Sequence, residues 1–281
     1  MSRAPRIRHS HPAIVINPSL SLGLVWRLLL LGCHIILGVL IAAVVGMFIF
    51  KNVAWHAPII RWWLRRLCSV LNLEIHIQGQ PCNDSRALWI SNHVSWMDIP
   101  VLGSIRSLNF LSKAEVAKWP LIGSLARAAG TLFIQRGSGD AERVKDQIVE
   151  EVNANRRVLF FPEGTTTDGF AVNRFFAKLF AAGVETDCWI QPMLISYRHE
   201  QGLHPFAPFI GEDAFGPHLL NILGGERITV DVLFLAAERP EGRNIHELAK
   251  HFETNMGSAL KSLHGCELPP SREGALSVRT G

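Results

Sequence analysis

The chain has 281 residues, enough for one large or two small domains. Hydrophobic residues make up 48% and charged residues 19%, a more apolar balance than a typical soluble domain carries. The net charge of +4 comes without any Lys/Arg block interleaved with aromatics, which argues against a nucleic-acid partner.

Residues 1–20 are polar and contain proline, and they read as a disordered tail, as does 268–281. After Arg27 comes LLLLGCHIILGVLIAAVVGMFIF (28–50), 23 residues without a formal charge. About 20 apolar helical residues cross a bilayer. The run is too long for the apolar part of a signal peptide, and no small-residue cleavage site follows it. A membrane anchor is therefore favoured over a buried core helix. Arg3, Arg6, Arg8 and Arg27 precede the run, and Lys51, Arg61, Arg65 and Arg66 follow it, so flanking charge does not orient it. The next stretch, WHAPIIRWWLRRLCSVL (55–71), combines Trp55, Trp62 and Trp63 with three arginines. It suits a helix at headgroup level or an ordinary amphipathic helix packed on the domain. Residues 21–71 thus form an anchoring segment, either one spanning helix or a one-leaflet hairpin.

From 72 to 267, short β-branched or aromatic runs alternate with helical patterns. Strands are expected at 74–78, 87–91, 109–112, 131–135, 157–161, 189–197 and 228–234. Helices are expected at 141–154 and at 244–263, the second with Asn244 as N-cap and Glu247 three residues on. The alternation predicts one α/β domain with a mixed, largely parallel sheet flanked by helices. Ligands of such sheets bind beyond the carboxyl ends of the strands. That puts the loops after 91, 135 and 161 on one active edge.

Each loop carries chemistry. In SNHVSWMDIP (91–100), His93 precedes a helix with Ser95 as candidate cap and Asp98 in its first turns. Five residues do not bring two side chains onto one regular helical face. His93 and Asp98 meet only if the chain folds back over the helix start, leaving an oriented imidazole as a base. Taken alone, these residue types favour a satisfied loop histidine and a capping aspartate. In GTLFIQRGSGD (130–140), Arg136 among flexible glycines is a candidate anion clamp. In FPEGTTTDG (161–169), Pro162 and Gly164 force a turn that carries Glu163, for which Arg136 is the natural cationic partner. The five cysteines, Cys33, Cys68, Cys82, Cys188 and Cys266, lack CxxC spacing, so neither a zinc site nor a disulfide framework is indicated.

Together the three loops resemble the glycerolipid acyltransferase family, of the lysophosphatidic acid acyltransferase type. NHVSWMD is similar to its NHxxxxD block, GTLFIQR to the second block, FPEGTTTDG to the third, and QPMLISY (191–197) to a later proline-containing strand. KAEVAKWPLIG (113–123) resembles the connecting segment, and the likeness covers roughly 75–200. The resemblance implies that His93 is the general base and Asp98 its orienting partner. The acceptor hydroxyl would attack the thioester of acyl-CoA or acyl carrier protein, without metal or cofactor. Gly130 and Arg136 would hold the acceptor's anionic group, and Glu163 and Gly164 would shape the same pocket. Pro192 would belong to the acyl wall. Asn92, Lys113, Thr165, Thr166 and Lys178 complete the implied substrate-binding set.

One position departs from the family. The arginine that commonly follows Glu-Gly-Thr is replaced by Thr166, and Arg174 or Lys178 would have to supply the missing cation. The expected acceptor is 1-acylglycerol-3-phosphate, giving phosphatidic acid, with lyso-ornithine lipid or another lysophospholipid as the alternative. A silent lipid carrier needs no base, and no G-x-S-x-G elbow points to a serine hydrolase. The expected location is a bacterial inner membrane, with the catalytic domain facing the cytoplasm.

Overall fold

The computed structural model describes residues 22–46, 54–135, 141–199 and 202–265. The expected tails and Arg136 lie outside these residues. The strands are β1 (Leu73–Gln78), β2 (Ala87–Ser91), β3 (Asn109–Lys113), β4 (Leu132–Ile134), β5 (Val158–Phe160), β6 (Trp189–His199), β7 (Gly202–Leu203) and β8 (Ile228–Phe234). The helices are α1 (Leu22–Val44), α2 (Ala57–Val70), α3 (Asp98–Ile105), α4 (Ile122–Ala128), α5 (Ala141–Asn153), α6 (Ala181–Thr186), α7 (Phe215–Gly224) and α8 (Ile245–Gly265). The two-residue β7 has no counterpart in the sequence expectation, because so short a run carries no periodicity.

The sheet order is β1-β8-β6-β2-β5-β3-β4, with β7 paired to β6. From β6 to β4 all pairings are parallel, while β8 runs antiparallel to β6. Every residue of β2 is buried, as expected of a central strand covered on both faces. Alternation along β2 splits its side chains between two cores. Trp89 faces Val101, Leu102, Ile222 and Leu223 of α3 and α7. Leu88 and Ile90 face Val144 and Ile148 of α5 and Phe252 of α8. Burying one such large side chain stabilises the fold by roughly 1.5–3 kcal/mol. In α8, Leu248, Phe252, Met256 and Leu260 recur every fourth residue and form its buried stripe. The helix starts as its sequence predicts: Asn244 Oδ1 accepts from His246 N and Glu247 N, and Glu247 Oε2 accepts from Asn244 N.

Helix α1 is long and apolar enough to cross a membrane by length and composition, and only 17% of its most apolar window is buried. It nonetheless lies against the domain along its whole length. Near its start, Leu24 is buried and Arg27 Nη1 donates to the carbonyls of Leu223 and Gly225, at 2.9 and 2.8 Å. A cation at the carboxyl end of α7 also meets the negative end of its dipole. At mid-length the His34 ring stacks on Trp63 of α2 at 4.6 Å. His34 Nε2 bonds Trp63 O, and Trp63 Nε1 donates to His34 O. Gly38 makes room for this: a Cβ there would stand 2.5 Å from Trp63 Nε1. Near its end, Ala42 packs on Ala128 of α4. The opposite face exposes Trp26, Leu29, Ile36, Leu37 and Leu40.

Candidate active site

Because β2, β4 and β5 run parallel, their carboxyl ends share one edge. β2 ends at Ser91 and delivers Asn92 and His93 into a turn. Asn92 is 1% exposed, and its side chain exchanges two hydrogen bonds with the backbone of Ile195, at 2.9 and 2.8 Å. It extends the β2–β6 pairing beyond Ser91↔Met193 and latches the turn, with its amide turned away from the site mouth.

The chain then folds back. His93 Nδ1 meets Asp98 Oδ2 at 2.7 Å. The same oxygen accepts from Val94 N at 2.8 Å and Ser95 N at 3.1 Å. Oδ1 accepts from the buried Tyr197 hydroxyl at 2.6 Å. Asp98 is wholly buried, so this cage of donors replaces the hydration of an ionised carboxylate. With Oδ2 accepting, Nδ1 carries the ring N–H and Nε2 is left as an acceptor. Ser95 does not cap the helix as expected. Met97 occupies the N-cap without a side-chain bond, and the buried Ser95 hydroxyl has no partner. Asp98, the first residue of α3, instead bonds the amides of the turn before it, and the first helical amides donate to the carbonyls of Ser95 and Trp96.

The third loop holds the backbone of His93 from both sides. His93 N donates to Glu163 Oε1 at 2.9 Å. His93 O accepts from Thr167 N at 2.8 Å and from its hydroxyl at 3.2 Å. The imidazole lies on the Phe161 ring, with centroids 3.9 Å apart and planes 10° from parallel. Glu163 Oε2 accepts from Asn173 N at 2.8 Å. The carboxyl expected to pair with Arg136 is thus occupied by two backbone amides. Burial pushes its pKa up to about 7, against the lowering effect of those amides. Gly164 sits at φ +69, in left-handed space that suits glycine.

The remaining expected residues spread out. Thr165 is exposed and Thr166 half-buried, and the hydroxyl that serves His93 belongs to Thr167 instead. Lys113 is exposed at the end of β3. Lys178 is exposed in the turn Ala177–Phe180, and Arg174 is exposed nearby. Gly130 is buried at φ +83 before β4, at the amino end of that strand and so on the opposite edge from His93. Pro192 is buried level with Ile90, on the sheet face that packs against α5 and α8. It sits where the β8 pairing stops, its carbonyl accepting from Leu235 N, so its missing N–H costs no ladder bond. Sequence reasoning missed Tyr197 and Phe161, and named Thr167 only as one of three hydroxyl donors of its loop. Tyr197 had a visible signal, as the one tyrosine of the chain at the end of the proline-containing strand.

Trp96 Nε1 donates to His218 Nδ1 at 3.1 Å, and His218 Nε2 bonds Pro208 O at 3.1 Å. Burial holds His218 below its ordinary pKa, consistent with a neutral wall residue. Among the described residues no three of His, Cys, Asp or Glu gather as a metal site, and Cys33, Cys68, Cys82 and Cys188 are free thiols.

Residues 72–196 match the family model described as Acyltransferase. The chain is 44% identical over 200 residues to the lyso-ornithine lipid O-acyltransferase of Pseudomonas aeruginosa, covering 71% of this chain and 77% of that protein. The chain belongs to the acyltransferase family. It is also 26% identical over 196 residues to the 1-acyl-sn-glycerol-3-phosphate acyltransferase of Neisseria meningitidis, covering 68% of this chain and 76% of that one. In fold, this acyltransferase is similar to the crystal structure of the 1-acyl-sn-glycerophosphate acyltransferase of Thermotoga maritima. The TM-score is 0.61 at 19% identity, with 88% of this chain and all of that one covered.

Proposed function

We propose that the protein moves a fatty acyl group from a thioester donor, acyl-CoA or acyl carrier protein, to the free hydroxyl of a lyso-lipid at a membrane surface. The observation that carries the reading is the caged His93–Asp98 pair. Nε2 of His93 takes the hydroxyl proton as the oxygen attacks the thioester carbonyl. The C–O bond forms, the C–S bond breaks, and the imidazolium returns the proton to the leaving thiolate. Asp98 stabilises that imidazolium while staying ionised.

For the acceptor, lyso-ornithine lipid is the better supported of the two candidates. Thr166 stands where an arginine for a phosphate monoester is expected, and the identity to the Pseudomonas relative well exceeds that to the Neisseria one. 1-Acylglycerol-3-phosphate is the second reading, favoured if Arg136, Arg174 or Lys178 supplies the cation. The membrane is that of a bacterium, the inner one, with the domain on the cytoplasmic side. Docking of α1 along the domain supports a helix lying in the surface of one leaflet over one that crosses as an isolated span.

The test offers both acceptors separately, with each donor, to the purified protein in detergent. Transfer to lyso-ornithine lipid at least about tenfold faster than to 1-acylglycerol-3-phosphate is expected, and the reverse ratio would transfer the reading to phosphatidic acid synthesis. His93→Ala is expected to lose about a thousandfold or more in kcat with an unchanged circular dichroism spectrum. Near-normal turnover by that variant would remove His93 as the base.

A further inference from the structure

Helix α4 starts from a turn whose backbone is strained. Ile122 N donates to Pro120 O at 2.6 Å. That bond closes a three-residue turn centred on Leu121, whose φ is +60 and ψ −53. This is the rarer, strained form of such turns, and a bulky L side chain is an outlier in it. The turn is locked from both sides. Gly123 N donates to Trp119 O at 3.0 Å, and Leu125 N to Leu121 O at 2.9 Å. A Cβ at Gly123 would stand 2.3 Å from Ala117 O.

The side chain of Leu121 does not repay this strain inside the molecule, because it is 52% exposed. Trp119 and Ile122 beside it are exposed at 39% and 37%. A glycine at 121 would relieve the backbone, and polar side chains would suit the exposure. Three large apolar side chains held out by a strained turn point to something outside the chain.

Two routes tie this turn to α1. One is α4 itself, about 10 Å of helix, whose Ala128 packs on Ala42 of α1. The other is α7. The Trp119 ring lies 5.1 Å from that of Phe215 at the start of α7, and the carboxyl end of α7 holds Arg27 of α1. Between those ends α7 exposes Leu220. Phe215 also meets Trp96 at 5.2 Å, three residues beyond His93. Lipid is the occupant that this patch suits. Tryptophan favours headgroup depth and leucine and isoleucine the acyl region below it, and the patch is joined to a helix whose outer face is apolar too. An acidic protein would call for a cluster of cations, whereas Lys118 is the only one between 114 and 126 and Glu115 offsets it.

We infer that the turn 119–122 is a second membrane contact, which seats Trp119, Leu121 and Ile122 in the leaflet that receives α1. The inference rests on the reading of α1 as the part that meets lipid. To test it, full-length protein is freed of detergent in the presence of phosphatidylcholine–phosphatidylglycerol vesicles, with and without brominated acyl chains. Brominated chains are expected to quench Trp119, isolated as the difference between wild type and Trp119→Phe. Leu121→Gly is expected to lower the partition coefficient, read by lipid titration, about fivefold. Its thermal midpoint in neutral detergent should equal or exceed that of wild type, because glycine takes this backbone without strain. Leu121→Phe, equally strained and apolar, should keep wild-type partition. Transfer to a monomeric short-chain acceptor should be unchanged in Leu121→Gly. Equal partition of Leu121→Gly and wild type would overturn the proposal, and so would a joint fall in partition and midpoint, which marks a structural residue. If lipid leaves Trp119 unquenched and acyl carrier protein shifts its emission instead, the patch belongs to a protein partner and the proposal falls. Loss of binding in Leu29, Ile36 and Leu40→Ser with none in Leu121→Gly would remove the turn and keep α1. A wild type that ignores vesicles would remove both.

Discussion

Asp98 reaches its state through hydrogen bonds alone. Its two oxygens take donors from His93, Val94, Ser95 and Tyr197, and among the described residues no lysine or arginine contributes. Tyr197→Phe removes one donor from a wholly buried carboxylate. The carboxylate then holds the His93 ring less firmly. The expected result is a fall of about tenfold in kcat/KM at neutral pH with an unchanged circular dichroism spectrum. A fall accompanied by a changed spectrum would mean only a looser fold. Glu163 titrates in its own right. Its pKa is raised by burial to about 7, above the ordinary carboxyl value of 4.5, so the folded state holds a proton that the unfolded chain releases earlier. Its stabilising contribution is complete below the unfolded value and is lost as pH rises through about 7. Glu163→Gln cannot titrate, and it sets an NH2 against one of two backbone donors, at a cost of about 1–2 kcal/mol. Denaturant melts should show wild type ahead of Glu163→Gln at pH ~5 and the gap narrowing by pH ~8. A constant gap would place the titration elsewhere.

Among the elements, strand positions were legible because buried parallel strands leave dense β-branched and aromatic runs between turn residues. ALWIS and VLF are examples, and both lie within one or two residues of their expected bounds. The start of α3 was not legible. Local propensity names Ser95 as the cap, yet Met97 holds that place without a side-chain bond, and Asp98 is committed to the turn that carries His93. The role of Asn92 was hidden for the same reason, since its partner Ile195 is 103 residues away. The hairpin of α1 and α2 offers an element-level test at Gly38. Gly38→Val would drive a side chain into the Trp63 indole and break the paired bonds with His34. Amide protection is expected to fall in α2 around Trp63 while β2 and β5 keep theirs. Unchanged exchange in α2 would show that the hairpin does not rely on this contact.

For the whole molecule, α1 with its exposed face is docked on the domain whose sheet edge carries His93. A bilayer that grips Leu29, Ile36 and Leu40 therefore also fixes where His93 stands above the lipid. Replacing these three by serine is expected to lower the vesicle-bound fraction and to cut transfer to bilayer-embedded acceptor by about tenfold or more. Transfer to a monomeric short-chain acceptor should be retained. Equal losses on both acceptors would mean that α1 supports folding rather than docking. The segment was legible as a long apolar helix from its apolar run. Its posture was not, because Arg27, His34 and Ala42 find their partners in α7, α2 and α4, far away in sequence.

The chain contains one tyrosine, and its hydroxyl ends on Asp98. Tyrosine carrying carbon-13 at the ring carbon next to the hydroxyl, incorporated throughout the protein, would yield a single resonance. That resonance would follow the field around Asp98, and so the charge on the His93 ring it holds, through substrate binding and turnover, with no site-specific labelling and no other tyrosine to obscure it.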